Sequence, residues 1–131
     1  MATTTASLTL SSSDLTGDAL ALTTTATLTK AGVTTGLDQT TGVARKFFAT
    51  VQADTALIAA ADYTDDKAHK IYIKNTSTTA AEYVTIKVGA TEVGRLYAGD
   101  WAFMPWNGDS NFNVTPSVAT SMTVEYMLIF E

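Results

Sequence analysis

The chain offers few residues that do chemistry. Its one histidine, His69, stands between Lys67 and Lys70, and there is no cysteine. A nucleophilic triad or a zinc site needs histidine close to further partners. None follows at a suitable spacing, so His69 is expected to be exposed or satisfied near a strand start. Without thiols there are no disulfides and no cysteine-zinc sites. Asp62, Asp65 and Asp66 form an acidic cluster. The run Asp-Tyr-Thr-Asp-Asp-Lys lacks the central glycine and distal glutamate of a calcium loop. Turn chemistry is expected there, with an opportunistic cation as the alternative. Glu82, Glu92, Asp100, Asp109 and Glu125 could supply paired carboxylates for glycoside hydrolysis, but no spacing singles out a pair. Gly89, Gly94 and Gly99 make no phosphate cradle, because the Lys-Ser/Thr and the strand–helix pattern are missing. No catalytic residue, metal or cofactor is assigned, and an enzyme is not expected.

The aromatic run Trp101, Phe103, Pro105 and Trp106 holds both tryptophans of the chain. Alternation suggests Trp101 and Phe103 on an inward face. Trp106 follows a proline at a turn and is expected outside the core, as an interface anchor or a sugar-stacking platform.

Strands must position these residues. Lys70–Lys74 alternates with Ile71 and Ile73 inward and the lysines and Tyr72 outward. Tyr83–Val88 puts Val84, Ile86 and Val88 inward, and Gly89-Ala90 fits a two-residue hairpin turn. Thr91–Tyr97 follows, with Gly94 at a break in alternation that suggests a bulge. Trp101–Met104 is expected to stop at Pro105, and Phe112–Thr115 at Pro116. Met122, Val124, Tyr126, Leu128 and Phe130 share one parity of a last strand. Met127 and Ile129 on the other parity imply cover on both sides of its end. The expected core is Val124, Tyr126, Leu128, Ile71, Ile73, Val84 and Ile86.

Upstream, Ala6, Leu8 and Leu10 alternate, and so do Leu20, Leu22, Thr24, Ala26 and Leu28. Ser13-Asp14 could cap a short helical turn. Lys30 to Gly42 reads as loop. Val43, Arg45, Phe47, Ala49 and Val51 share a parity over about nine residues. Thr55 to Ala61 suits a short helix or a loop. Short strands separated by turn signals argue a sandwich or a barrel. The expectation for 43–131 is an all-β antiparallel sandwich, a jelly roll above other sandwiches. Residues 1–42 add an arm or one or two strands.

That opening stretch contains fourteen threonines and only four charged residues, Asp14, Asp18, Lys30 and Asp38. Disordered tails are normally rich in charge and poor in β-branched residues. Threonine suits a pleated surface, and charge is one device that stops a strand pairing with another chain. A long uncharged strand segment is therefore expected to pair with something. The charged content of the chain, 16%, is low, which suits a surface hidden under neighbouring subunits. The net charge of −5 supplies no basic footprint for nucleic acid. No apolar run is long enough to span a membrane. No secretory leader opens the sequence, which suggests synthesis and folding in a cytoplasm.

The chain resembles the small β-rich virion proteins of tailed bacteriophages. The resemblance lies in Ser7-Leu8-Thr9-Leu10 through Leu20-Ala21-Leu22-Thr23. It continues in Ile71-Tyr72-Ile73-Lys74-Asn75, Leu96-Tyr97-Ala98-Gly99-Asp100, Pro105 and Glu125-Tyr126-Met127-Leu128. It implies a virion location and a capsid decoration (cement) protein, bound to the major capsid protein or other virion proteins, often as a homotrimer with a reaching arm. A tail or receptor-binding module contacting host glycans is the alternative, and a small sugar-active enzyme on the same fold a third. Leu8, Leu10, Leu20, Leu22, Trp106, Met127 and Ile129 are the expected interface residues, with no cofactor, nucleic acid or membrane partner.

Overall fold

The computed structural model describes residues 3–49, 54–118 and 121–131. The chain divides into two units, Met1–Asp38 and Gln39–Glu131. The boundary falls earlier than the Gly42 expected from sequence, because Gln39 and Thr40 already pair with the last strand.

The first unit is a hairpin of β1 (Thr4–Ser12) and β2 (Leu20–Leu28), nine residues each. The strands pair antiparallel without a bulge, from Thr4 opposite Leu28 to Ser12 opposite Leu20. No helical turn forms at Ser13-Asp14. Instead the Ser12 hydroxyl accepts the amides of Asp14 and Leu15, at 3.3 and 3.0 Å, and holds a bend. A short hydroxyl at a turn competes for backbone donors in this way. The stretch after β2 is more than loop. Thr29 bridges Gly36, the Leu37 amide donates to the Leu28 carbonyl, and Lys30 pairs with Asp38 at 2.7 Å.

The second unit is an all-β sandwich of two antiparallel sheets. In chain order its strands are β3 (Gln39–Thr40), β4 (Ala44–Phe48), β5 (Thr55–Ile58) and β6 (His69–Asn75). They continue with β7 (Tyr83–Val88), β8 (Thr91–Tyr97), β9 (Trp101–Trp106), β10 (Phe112–Pro116) and β11 (Met122–Phe130). One sheet runs β5-β10-β7-β8. The other runs β3-β11-β6-β9, and β4 also pairs with β11. Among these strands only β7 and β8 are sequence neighbours hydrogen-bonded to each other. They are joined by Gly89-Ala90, with Gly89 at φ 58. The register slips between Ile86 and Lys87, so Val93, beside Gly94, is the extra residue of a bulge.

The core draws on both sheets. Phe48, Ile71, Ile73, Met122, Val124 and Leu128 meet Ile58, Val84, Ile86, Leu96, Phe112 and Val114. Every residue of the expected core is buried except Tyr126, which is half-buried and packs against its edge. Val88 is half-buried too.

Four local expectations are corrected. β9 does not stop at Pro105 but runs on to Trp106; it ends its sheet, and an edge strand accommodates a residue without an N–H. Its inward parity is Ala102, Met104 and Trp106, so Trp101 and Phe103 face out. The Val43–Val51 strand is the five-residue β4, and its buried residue is Phe48, on the other parity; Val51 lies outside the described residues. Thr55 to Ala61 is neither a helix nor plain loop but β5 followed by a 3-10 turn at Ala60–Asp62.

Candidate functional site

The hairpin is the most unusual surface of the molecule. A strand has period two, so its faces read directly from the register. One face carries Ala6, Leu8 and Leu10 opposite Ala26, Thr24 and Leu22. The other carries Thr5, Ser7 and Thr9 opposite Thr27, Thr25 and Thr23. On that second face the Ser7 and Thr25 hydroxyls are 2.8 Å apart, one donating to the other. Cross-strand Ser/Thr pairs of this kind support a hairpin modestly. Leu10 and Leu22, directly opposed, are 45% and 46% exposed. Leu8 and Leu20 are half-buried. Neither strand contains a charge or a proline. Among the described residues each pairs with one strand only, so each leaves one row of backbone groups without a strand partner there. A two-stranded ribbon is marginal in water by itself. Its chemistry is that of a binding element: apolar side chains and free backbone edges, with nothing to move a proton.

The remaining expected interface residues divide. Met127 is half-buried on the outer face of its sheet, and Ile129 is buried. Trp106 is only 4% exposed, which overturns the expectation that it stands outside the core. Its indole N–H donates to the Ser110 carbonyl at 2.9 Å, and its ring lies 5.7 Å from Tyr63 and 5.4 Å from His69. A buried tryptophan needs such a partner for its polar end.

His69 is also buried. Its Nε2 lies 2.9 Å from the Thr64 carbonyl, which can only accept, so Nε2 carries the proton. Nδ1 has no hydrogen-bond partner among the described residues. The expectation of an exposed or satisfied histidine therefore holds for one nitrogen only. The ring serves packing with Tyr63, Trp106 and Phe130. Asp62, Asp65 and Asp66 are exposed in the connection before β6, and Asp66 adopts φ 57 while its amide donates to the Asn107 carbonyl. Among the described residues no three His, Asp or Glu side chains gather to hold a metal ion.

Sequence inspection missed the outer face of the five-stranded sheet. There Glu125 accepts from the Arg45 guanidinium at 3.0 and 3.1 Å and from the Tyr72 hydroxyl at 3.2 Å. The Arg45 bond, outweighing burial and helped by Tyr72, holds the Glu125 carboxyl below its usual range. Burial and the Glu125 carboxylate push the Tyr72 hydroxyl up. Around this network stand Trp101, 51% exposed, and Phe103, 37% exposed. Half of the signal was present in the sequence, since β6 alternates, but β9 is apolar on both parities, and only its pairing with β6 sets its outward face.

No protein-family model matches this chain, and no curated protein or solved structure matches it either.

Proposed function

We propose that this protein is a virion structural component, a capsid decoration or cement protein that binds neighbouring shell subunits. The observation that carries the reading is the hairpin: eighteen strand residues with no charge, an exposed Leu10–Leu22 pair and two open edges. Such a ribbon gains its cover by joining another chain, through its apolar face or by adding to a foreign sheet edge. Each bound copy then stabilises the assembled state by mass action. The partner would be the major capsid protein or another virion protein, and the copies would form a closed homotrimer.

A jelly-roll fold is part of the same proposal. The strand orders β4-β11-β6-β9 and β5-β10-β7-β8 support it. So does the chain's passage from one sheet to the other at every connection from β4 to β11 except the β7–β8 hairpin, as two nested Greek keys require. Fold alone does not carry function. The alternative reading, a tail or receptor-binding module, is favoured by one observation, the exposed rings of Trp101 and Phe103.

The test places charge on the ribbon. Leu10→Glu with Leu22→Glu should leave the melting temperature of the sandwich unchanged while occupancy on purified particles falls. Full occupancy by this double variant would sink the arm reading. Immunogold labelling on tails alone would replace it with the alternative.

A further inference from the structure

The outer face of the five-stranded sheet is a second surface, and it uses no hairpin residue. Along β6, Lys70, Tyr72 and Lys74 point away from the core, because Ile71 and Ile73 between them are fully buried. Along β9, Trp101, Phe103 and Pro105 do the same. The register sets Trp101 opposite Lys74, Phe103 opposite Tyr72 and Pro105 opposite Lys70. The result is two adjacent rows, one of apolar rings and one with cations at both ends. Four steps along the strand separate Lys70 from Lys74 by about 13 Å.

Charge on this face runs against the rest of the chain. Arg45, Lys70 and Lys74 stand on it, three of eight basic residues, against Glu125 and, at the end of the same parity, Glu131, which accepts the Ala68 amide at 3.1 Å. Glu125 is committed to Arg45 and Tyr72. Lys70 and Lys74 form no ion pair within 4.0 Å among the described residues. A protein of net charge −5 thus presents two ammonium groups, neither in a close ion pair among the described residues and Lys74 near enough to help lower the Glu125 carboxyl, beside two exposed aromatic rings.

We propose that this face binds a linear acidic polysaccharide, with sugar rings stacked on Trp101 and Phe103 and carboxylates paired with Lys74 and Lys70. The negative face of an aromatic ring attracts the weakly positive C–H face of a sugar. The surface is an open sheet and not a cleft, so it suits an extended polymer better than a small molecule. Lysine is depleted in the cores of protein interfaces, which disfavours a protein on these rows. Nucleic acid carries a phosphate at every residue and demands many cations. Two lysines about 13 Å apart on an acidic protein, neither in a close ion pair among the described residues, instead fit carboxylates spaced along a glycan.

The experiment is calorimetric titration of the full chain at low salt. The probes are hyaluronan oligosaccharides, with a carboxylate on alternate sugars, and polygalacturonate, with one on each. Neutral chitohexaose and single-stranded oligothymidylate are the comparisons. At least one acidic glycan should bind, and more tightly than either comparison. Trp101→Ala should weaken binding about tenfold, the loss of one stacked ring. Lys74→Gln should weaken it and flatten its salt dependence. Both sites are at the surface, and circular dichroism confirms that the variants fold. Failure of both acidic glycans to bind, or binding unchanged in both variants, overturns the proposal. Tighter binding of the oligothymidylate makes the face a nucleic-acid platform and overturns it too. So does an oligomer that dissociates in Trp101→Ala, which makes the face a contact between copies. None of these outcomes touches the hairpin, whose charge variants test the decoration reading separately; glycan binding here would support the tail alternative, which rests on the same two rings.

Discussion

The side-chain amide of Asn75, on β6, donates to the backbone carbonyl of Leu96, on β8, at 3.1 Å, joining the two sheets of the sandwich through a buried hydrogen bond. Asn75 is fully buried, and its Oδ1 accepts the Ser77 amide at 3.0 Å. One polar side chain thus satisfies groups in both layers and fixes the loop that leaves β6. Asn75→Leu removes the donor to Leu96 and the acceptor for Ser77 together. The loss should be roughly 1–3 kcal/mol, the cost of leaving buried polar groups unmade. Urea denaturation of the variant checks it, with the midpoint falling at unchanged slope.

Gly108 has φ 84, and a Cβ there would lie 2.9 Å from the Thr64 carbonyl oxygen and 3.2 Å from Nε2 of His69. Gly99 has nearly the same φ, 82, with open space around it. Gly99→Ala therefore suffers backbone strain alone, while Gly108→Ala adds a clash with backbone that cannot swing away. Gly99→Ala should cost about 1–2 kcal/mol. Gly108→Ala should cost measurably more. Equal melting temperatures for the two variants would show that the Thr64 carbonyl yields easily.

The two tryptophans should behave oppositely. Trp106 is buried with its N–H bonded, so Trp106→Ala should cost about 3–5 kcal/mol. Trp101 faces solvent, and Trp101→Ala should change stability by about 0.5 kcal/mol or less. Fluorescence adds a second measurement: Trp101→Ala removes the emission accessible to iodide quenching and leaves the protected emission of Trp106.

Glu125 gives the acid limb of stability a defined contributor. Its folded pKa is lowered, chiefly by the Arg45 hydrogen bond, from an ordinary 4.5. A lowered carboxyl pKa means that the folded state binds its proton more weakly than the unfolded state. The stabilisation is therefore present above the unfolded value and is lost as pH falls through the folded one. Glu125→Gln should be less stable than the parent at pH 7, and the gap should close below about pH 4. Carbon-detected NMR titration of the Glu125 carboxyl tests the direction itself.

Much of this fold was legible because strand periodicity is a local property. β7, β8 and β11 begin and end where turn residues and alternation place them, since Gly89-Ala90 and the run Met122 to Phe130 leave one reading each. β1 and β2 were equally legible as alternating strands. The bulge beside Gly94 was visible as a break in alternation. β4 was harder. Its two parities both contain an aromatic, Phe47 and Phe48, and only pairing with Met122 sends Phe48 inward.

The sequence by itself determined that this is a strand protein with one histidine, no cysteine and a charge-poor, threonine-rich opening, because composition and period-two alternation need no knowledge of distant partners. Tertiary structure alone decided which surfaces are exposed. In β9 both parities are apolar, Trp101, Phe103 and Pro105 against Ala102, Met104 and Trp106, so no local pattern can choose between them. The choice comes from β6. Ile73 faces Ala102, Ile71 faces Met104 and His69 faces Trp106 across the ladder, and the buried face of one strand dictates the buried face of its neighbour. That long-range register turned the expected core pair, Trp101 and Phe103, into an exposed platform and drew the expected anchor, Trp106, into the core.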